Sequence, residues 1–366
     1  MSLKIKDITN YLESIASLTY QELYDNSGLL TGNPNQDASS VLATIDVTED
    51  VIDEAIALGC NLVVSHHPII FSGLKKLSGK NYIERTIIKA IKNDVAIYAA
   101  HTNFDSIFGG VNFKICEKLQ LEGCQVLQPS SGLLQKLVTF VPLAQADEVR
   151  SAIFEAGAGE IGNYDSCSYN VEGSGSFRAG ENANPFIGKI NETHFEKETR
   201  IETIFPKHQQ SRIINALLKS HPYEEVAYDI YPLENKNNQV GMGMVGTLAN
   251  PIPEKEFLSL LKKTFNCGII KHTELLGKDV SRIAVCGGSG SFLLSNAIAA
   301  NTDFFVTGDF KYHQYFDAEK RIVIADIGHF ESEQFTKELF YELLIKKFPK
   351  FAVHLSKVKT NPIFYF

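Results

Sequence analysis

The chain has 366 residues, 44% of them hydrophobic, and a formal charge of −8 from 43 acidic and 35 basic side chains. That length carries two or three domains, and the acidic balance excludes a polyanion-binding surface, which needs clustered Lys and Arg, so nucleic acid is not an expected partner. No stretch reaches the roughly 18 apolar residues of a membrane span, and the opening Met1-Ser2-Leu3-Lys4-Ile5-Lys6 lacks the apolar core of a secretion signal. A cytoplasmic protein with no membrane partner is expected.

Residues 1–127 alternate strand-like and helical patterns: strand 41–46, helix 49–58, strand 61–65, helix 82–91 and strand 95–100. This is the rhythm of βαβ units with a parallel sheet. Two of the strands run into side chains suited to metal. One ends at Ser65-His66-His67-Pro68 and the other at His101-Thr102-Asn103-Phe104-Asp105. Adjacent residues leaving a strand point in different directions, so His66 can serve one ion and His67 a second, while Pro68 ends the strand.

Residues 128–245 differ. Strand 136–141, helix 147–156, strands near 166–171 and 175–178, strand 198–205, helix 207–219 and strand 226–231 give a β-α-β-β-α-β order typical of ferredoxin-like units. The Gly, Asn and Ser between 157 and 188 read as turns and a long exposed hairpin, since Tyr164, Tyr169 and Phe177 still alternate through them. His194, His208 and His221 stand alone here and read as core or surface groups. Strands 136–141 and 226–231 are expected to present edges that need cover or partners.

The last third, 246–366, resumes the α/β pattern with strand 281–286, helix 292–300, strands 303–307 and 321–327, and a long helix 331–347. Gly241, Gly243 and Gly246 match G-x-G-x-x-G, but Pro251 and Pro253 follow where a Rossmann helix should begin, so no dinucleotide fingerprint is read. Gly287-Gly288-Ser289-Gly290-Ser291 reads first as a tight turn, with a phosphate cradle as the alternative. Asp309, Lys311 and His313 follow strand 303–307. They suit an anionic group and proton transfer, with a surface turn capped by Asp309 as an equal reading. Asp326-Ile327-Gly328-His329 leads to Glu331 and Glu333, and His329 with Glu333 has the i, i+4 spacing by which a helix presents two ligands on one face.

Loops at the carboxyl ends of strands in an open α/β sheet converge on one crevice, so these clusters can meet despite their distance in sequence. Imidazole and carboxylate without thiolate suit zinc, iron or manganese, and a carboxylate such as Glu333 can bridge two ions about 3.5–4 Å apart. The six cysteines contain no C-x-x-C pair and read as reduced thiols. The expected fold class is α/β: a two-part metal-binding core, 1–127 and 246–366, interrupted by an inserted ferredoxin-like α+β domain.

Taken with Asp25-Asn26-Ser27-Gly28-Leu29-Leu30, Gly287-Gly288-Ser289-Gly290 and Thr307-Gly308-Asp309, these clusters resemble the Nif-three-like family, whose members are labelled GTP cyclohydrolase 1 type 2 homologues. The resemblance runs from near residue 20 to near 335. It implies a dinuclear centre of two divalent metal ions per chain, held by His66, His67, Asp105, His329 and Glu333, with Glu333 bridging and His101 ligating or adjoining. It also implies that the insert is of the CutA/PII type, closing at Pro222-Tyr223-Glu224-Glu225-Val226-Ala227-Tyr228-Asp229, and that the chain forms a toroidal homohexamer. Ser27 departs from the apolar residue usual in the family. The function expected is metal-dependent hydrolysis of a nucleotide-like substrate, with His101 or His313 moving the proton. The alternative is a non-catalytic metal-binding or regulatory assembly.

Overall fold

In the computed structural model, which describes residues 2–366, the chain divides into two compact units. One runs up to Pro129 and resumes from Asn238 to Phe366; the other is Ser130–Asn237. The strands of the first part are β1 (Gly28–Thr31), β2 (Val41–Thr44), β3 (Leu62–Ser65), β4 (Ala96–Ala99) and β5 (Glu122–Ser130). The second unit holds β6 (Leu134–Pro142), β7 (Tyr169–Arg178), β8 (Thr193–Pro206) and β9 (Tyr228–Leu233). After it come β10 (Asn237–Pro253), β11 (Lys271–His272), β12 (Asp279–Ser289), β13 (Phe304–Gly308), β14 (Val323–Asp326) and β15 (Val353–Leu355).

Five strands form the first sheet, in the order β1-β4-β3-β2-β15, parallel except for β1 at one edge. Every residue of β2, β3 and β4 is buried, because helices cover both faces. On one side Ile5–Ile15 and Thr336–Lys347 lay Ile8, Leu12, Phe340 and Leu344 over Val41, Ala43 and Val64. On the other, Val51 and Ile52 of Glu49–Ala57 and Ile87 of Tyr82–Lys92 cover Leu42, Val63 and Ile97. Thr48 and Asn81 start these two helices by accepting from the backbone N–H groups of Val51 and Glu84, contacts worth about 1 kcal/mol each. Ser65 pairs with Thr44 on one side and Ala99 on the other. The residues that follow, His66-His67 and His101, therefore leave the sheet at one common end.

The second sheet has the order β11-β14-β13-β12-β10-β5, with β12, β13 and β14 parallel. Ile283, Val285, Phe304 and Val306 face Ile115, Phe257 and Leu261, while Ala284, Phe305 and Ile324 face Leu293, Leu294 and Ala297. β12 extends through Gly287 and Gly288 to Ser289 instead of stopping at 286, with a break in register that realigns Ser289 against Gly308. The helix expected over 331–347 is two helices, His329–Glu333 and Thr336–Lys347. The first packs on β12 and β13, the second on β2 and β15. A single straight helix cannot serve both sheets.

In the other unit, β7-β8-β6-β9 form one antiparallel sheet with Ala146–Glu155 and Gln210–Ser220 on one face. Leu137, Val149, Ile153, Ile201, Phe205, Ile213 and Leu217 make its core. Strand 136–141, expected at an edge, lies inside between β8 and β9; the edges are β7 and β9. The two strands expected near 166–171 and 175–178 are the single β7. Residues 238–245, expected in this unit, belong to the other one, where β10 pairs with β12. Among the described residues no helix is long and apolar enough to cross a membrane.

Phe104 and Phe340 meet edge to face at 5.3 Å, both fully buried. This pair fastens the turn Thr102–Asp105 and the helix Thr336–Lys347 to the first sheet. Replacing Phe340 by Ala removes buried area and leaves a cavity, so a loss of about 3–5 kcal/mol is expected. Urea unfolding checks it, and an unchanged midpoint contradicts it.

Candidate metal centre

Four imidazoles and two carboxylates meet where the strand ends of the first sheet face those of the second. His66, fully buried, brings Nδ1 to 2.9 Å from the Ala100 carbonyl, while Nε2 has no hydrogen-bond partner. That nitrogen lies 3.7 Å from Oδ1 of Asp105 and 3.5 Å from Oε1 of Glu333. His67 turns the other way: its Nδ1 meets Asp46 at 2.7 Å and its Nε2 lies 3.0 Å from Oε2 of Glu333. His101 anchors Nδ1 on Asp25 at 2.7 Å. Asp25 also accepts from the Thr102 N–H and the Ser27 hydroxyl, so Ser27 acts by holding Asp25. Asp105 ends the turn that Phe104 pins in the core, and its Oδ1 is buried without a partner.

From the second sheet, Gly328, at φ +99°, releases the chain into the short helix that carries His329 and Glu333. Nδ1 of His329 meets Asp309 at 2.7 Å, and Nε2 lies 3.2 Å from Oε2 of Glu333 and 3.3 Å from Nε2 of His67. The two oxygens of Glu333 thus face different groups: Oε1 faces His66, and Oε2 faces His67 and His329. Gly288 has φ +63°, and a Cβ there would sit 2.4 Å from Oε1 of Glu333, so backbone and space both require glycine. The N–H groups of Gly287, Gly288 and Gly290 are spent on Asn112, Ser332 and Thr307. Those three donors are therefore not free to cradle a phosphate.

Burial opposes charge on His67, yet Asp46 and Glu333 outweigh it and push the imidazole up to about 10. The same balance, with Glu333 and Asp309 as partners, raises His329 to about 9. Burial pushes the Asp105 carboxyl upward from its ordinary value against the pull of His66. For Glu333 burial acts upward too, but His66 and then the other imidazoles hold it well below that range. Around the centre stand five carboxylates, Asp25, Asp46, Asp105, Asp309 and Glu333, and the cavity above it is lined by no Lys or Arg among the described residues. Ligand atoms of three groups lie within 4.8 Å of one another: His66, His67 and His101; His67, His329 and Glu333; His66, Asp105 and Glu333. Nitrogen and oxygen donors, orphaned buried atoms facing one point, and carboxylates behind three of the imidazoles make a set of groups that could hold a metal ion.

The cavity has about 440 Å³ and its rim carries Tyr24, Phe71 and Phe292, all more than half exposed. His313 lies outside it, exposed on the turn Tyr312–Ala318 against Tyr312 and Phe316, and Lys311 is exposed and does not line it either. Within this chain the structure does not bring either of them to the centre. Asp326 and Glu331 have structural partners instead: Lys271 pairs with Asp326 at 2.6 Å, and Asn361 donates to Glu331. Asp46 is a supporting residue that the sequence pattern does not single out, and Asp25 enters the sequence reading only as the first residue of segment 25–30, without a role. The available signal for Asp46 is its position two residues beyond a buried strand.

The family profile described as Duf34/NIF3 (NGG1p interacting factor 3) matches residues 3–362. A Halalkalibacterium halodurans protein named GTP cyclohydrolase 1 type 2 homolog is 42% identical over 343 residues, 92% of each chain. A Bacillus subtilis protein of the same name is 39% identical, over 98% of this chain and 97% of its own. Among solved structures, a Bacillus cereus protein related to NIF3 superposes with a TM-score of 0.88 at 37% identity, over 100% of both chains. The chain therefore belongs to the Duf34/NIF3 family.

Proposed function

We propose that this chain holds two divalent cations, zinc, iron or manganese, and that it hydrolyses a nucleotide-like small molecule. The observation that carries the metal reading is charge. Five carboxylates surround four imidazoles with no Lys or Arg lining the cavity, and Nε2 of His66 and Oδ1 of Asp105 are buried without partners. Burying such groups is costly unless a cation completes them. In this reading His66 and Asp105 would hold one ion and His67 and His329 the other, with Glu333 contributing to both. Such a pair supplies Lewis acidity and lowers the pKa of bound water toward about 7.

The chain's own residues do the rest. Asp46, Asp309 and the Ala100 carbonyl fix the Nδ1 sides of His67, His329 and His66, so each Nε2 lone pair is aimed inward. His101, held by Asp25, stands beside the centre and can take or return a proton during hydrolysis. Tyr24, Phe71 and Phe292 at the cavity rim suit a planar ring, and the volume suits a small molecule. The relatives' name, GTP cyclohydrolase 1 type 2 homolog, agrees with a nucleotide.

We extend the proposal to the domain plan, a metal-binding core interrupted by an inserted CutA/PII-like domain, with the insert bounded as Ser130–Asn237 and supported by its β-α-β-β-α-β order. We also propose a toroidal homohexamer in the cytoplasm. The six cysteines are all free, in keeping with a reducing compartment.

Elemental analysis of purified protein should find about two divalent ions per chain. His66→Ala should lower that content, and Asp46→Asn should weaken metal affinity about 10–100-fold against a competing chelator. Full occupancy in His66→Ala refutes the assignment. Turnover is tested separately: the metal-loaded protein should hydrolyse GTP or another nucleotide, and Glu333→Ala should abolish it. Bound metal without turnover of any nucleotide defeats the hydrolase reading and leaves a metal-binding assembly. Sedimentation should report a species well above the 40.6 kDa of one chain; a strict monomer at micromolar concentration contradicts the hexamer.

A further inference from the structure

The unit Ser130–Asn237 contains a cavity of its own, about 610 Å³, on the face of its sheet opposite the two helices. That size lies within the range of small-molecule sites. Phe140, Phe177, Phe186 and Tyr223 line it, with ring centroids 5.9 Å apart for Phe177 and Tyr223 and 6.3 Å for Phe186 and Tyr223. Part of its floor is β7. Successive side chains of a strand point to opposite faces, so Val171, Gly173, Gly175 and Phe177 share one face.

Neither glycine is required by a left-handed backbone, since neither has a positive φ. A Cβ at Gly175 would strike the carboxylate of Glu198 at 2.1 Å, whereas a Cβ at Gly173 would meet nothing within 4 Å. Glycine inside a strand weakens it and often marks a bulge, a bend, or the close approach of a ligand or another backbone; β7 pairs with β8 without a register shift from Tyr169 to Arg178, so no bulge accounts for Gly173. Gly173 leaves flat, open floor between the aromatic walls.

Glu198 is 9% exposed, and its Oε1 accepts from the Tyr223 hydroxyl at 2.9 Å while Oε2 borders Gly175. A buried carboxylate between aromatic rings recognises a planar group that offers N–H donors along one edge. Arg178, exposed at the end of β7 and without an ion pair among the described residues, offers a donor at the same cavity. Arg200 is already paired with Glu202 and lies 5.9 Å from the Phe140 ring. We propose that this cavity binds a planar nitrogen heterocycle, its ring held among Phe140, Phe177, Phe186 and Tyr223 and its N–H edge on Glu198. The site is separate from the metal centre, and no residue is shared between them.

Calorimetric titration of the full, metal-loaded chain tests this with two probes. Guanosine monophosphate offers adjacent ring and amino N–H donors, and adenosine monophosphate offers an amino group alone. Guanosine monophosphate is expected to bind about tenfold or more tightly than adenosine monophosphate, as the loss of a hydrogen bond to a charged group implies. Gly173→Val fills open floor on a strand that tolerates a β-branched residue, so it should fold, keep its metals and lose this binding. Glu198→Gln should weaken binding about tenfold or more, and Glu333→Ala should leave it intact. Several results overturn the proposal: no binding at millimolar guanosine monophosphate, equal binding of both probes, or, in a Glu333→Ala chain whose metal centre is disabled, binding that survives Gly173→Val. So does a Gly173→Val chain that changes its sedimentation and keeps its binding, because the face would then be a contact between copies.

Discussion

The carboxylate of Glu333 is 3% exposed, and the groups within reach of it are imidazoles, not Lys or Arg. That constraint governs the larger unit. A buried carboxylate needs positive charge, which here comes from protons on His66, His67 and His329 or from cations in their place. His66 and His67 leave the first sheet, while His329 and Glu333 ride on a helix packed against the second. The charge balance of one side chain therefore requires both sheets in register. The pairings of Ser65 with Thr44 and Ala99, and of Thr307 with Asp326, fix where the chain can deliver its ligands.

Support behind the imidazoles is divided among distant parts of the chain. Asp25 precedes β1, Asp46 follows β2 and Asp309 follows β13. Each accepts from an Nδ1 at 2.7 Å. Asp309 adopts φ +56°, a conformation that costs little for Asp and turns its carboxylate toward His329. Sequence alone allows Asp309 to be a helix cap or a site residue; in the structure it orients His329, a ligand candidate.

What could be read from the sequence was local chemistry following a buried strand. His66-His67, His101 with Asp105, and His329 with Glu333 are each short patterns, and the structure brings all of them together. Asp25 and Asp46 have no such pattern, since each is a lone acid whose partner lies 76 or 21 residues away. His313 illustrates the opposite case. It follows a strand as the others do, but the chain enters a 3-10 turn that leaves it exposed. The break at Gln334 and Phe335 escaped for a related reason: residues 331–347 are a continuous helical pattern, and only tertiary packing decides that its first turn belongs to the other sheet.

The glycines separate two kinds of constraint. Gly288 is dictated from within, because its φ is positive and the Glu333 carboxylate occupies the place of a side chain. Gly173 is dictated by nothing in its own unit, since its φ is ordinary for a strand and a Cβ would find empty space. A glycine inside a strand accompanies a bulge, a bend or the close approach of a ligand or another backbone, and the proposed ligand would supply the last of these. The metal centre is built from groups whose needs are visible in one another, and the face of β7 shows its need only as space.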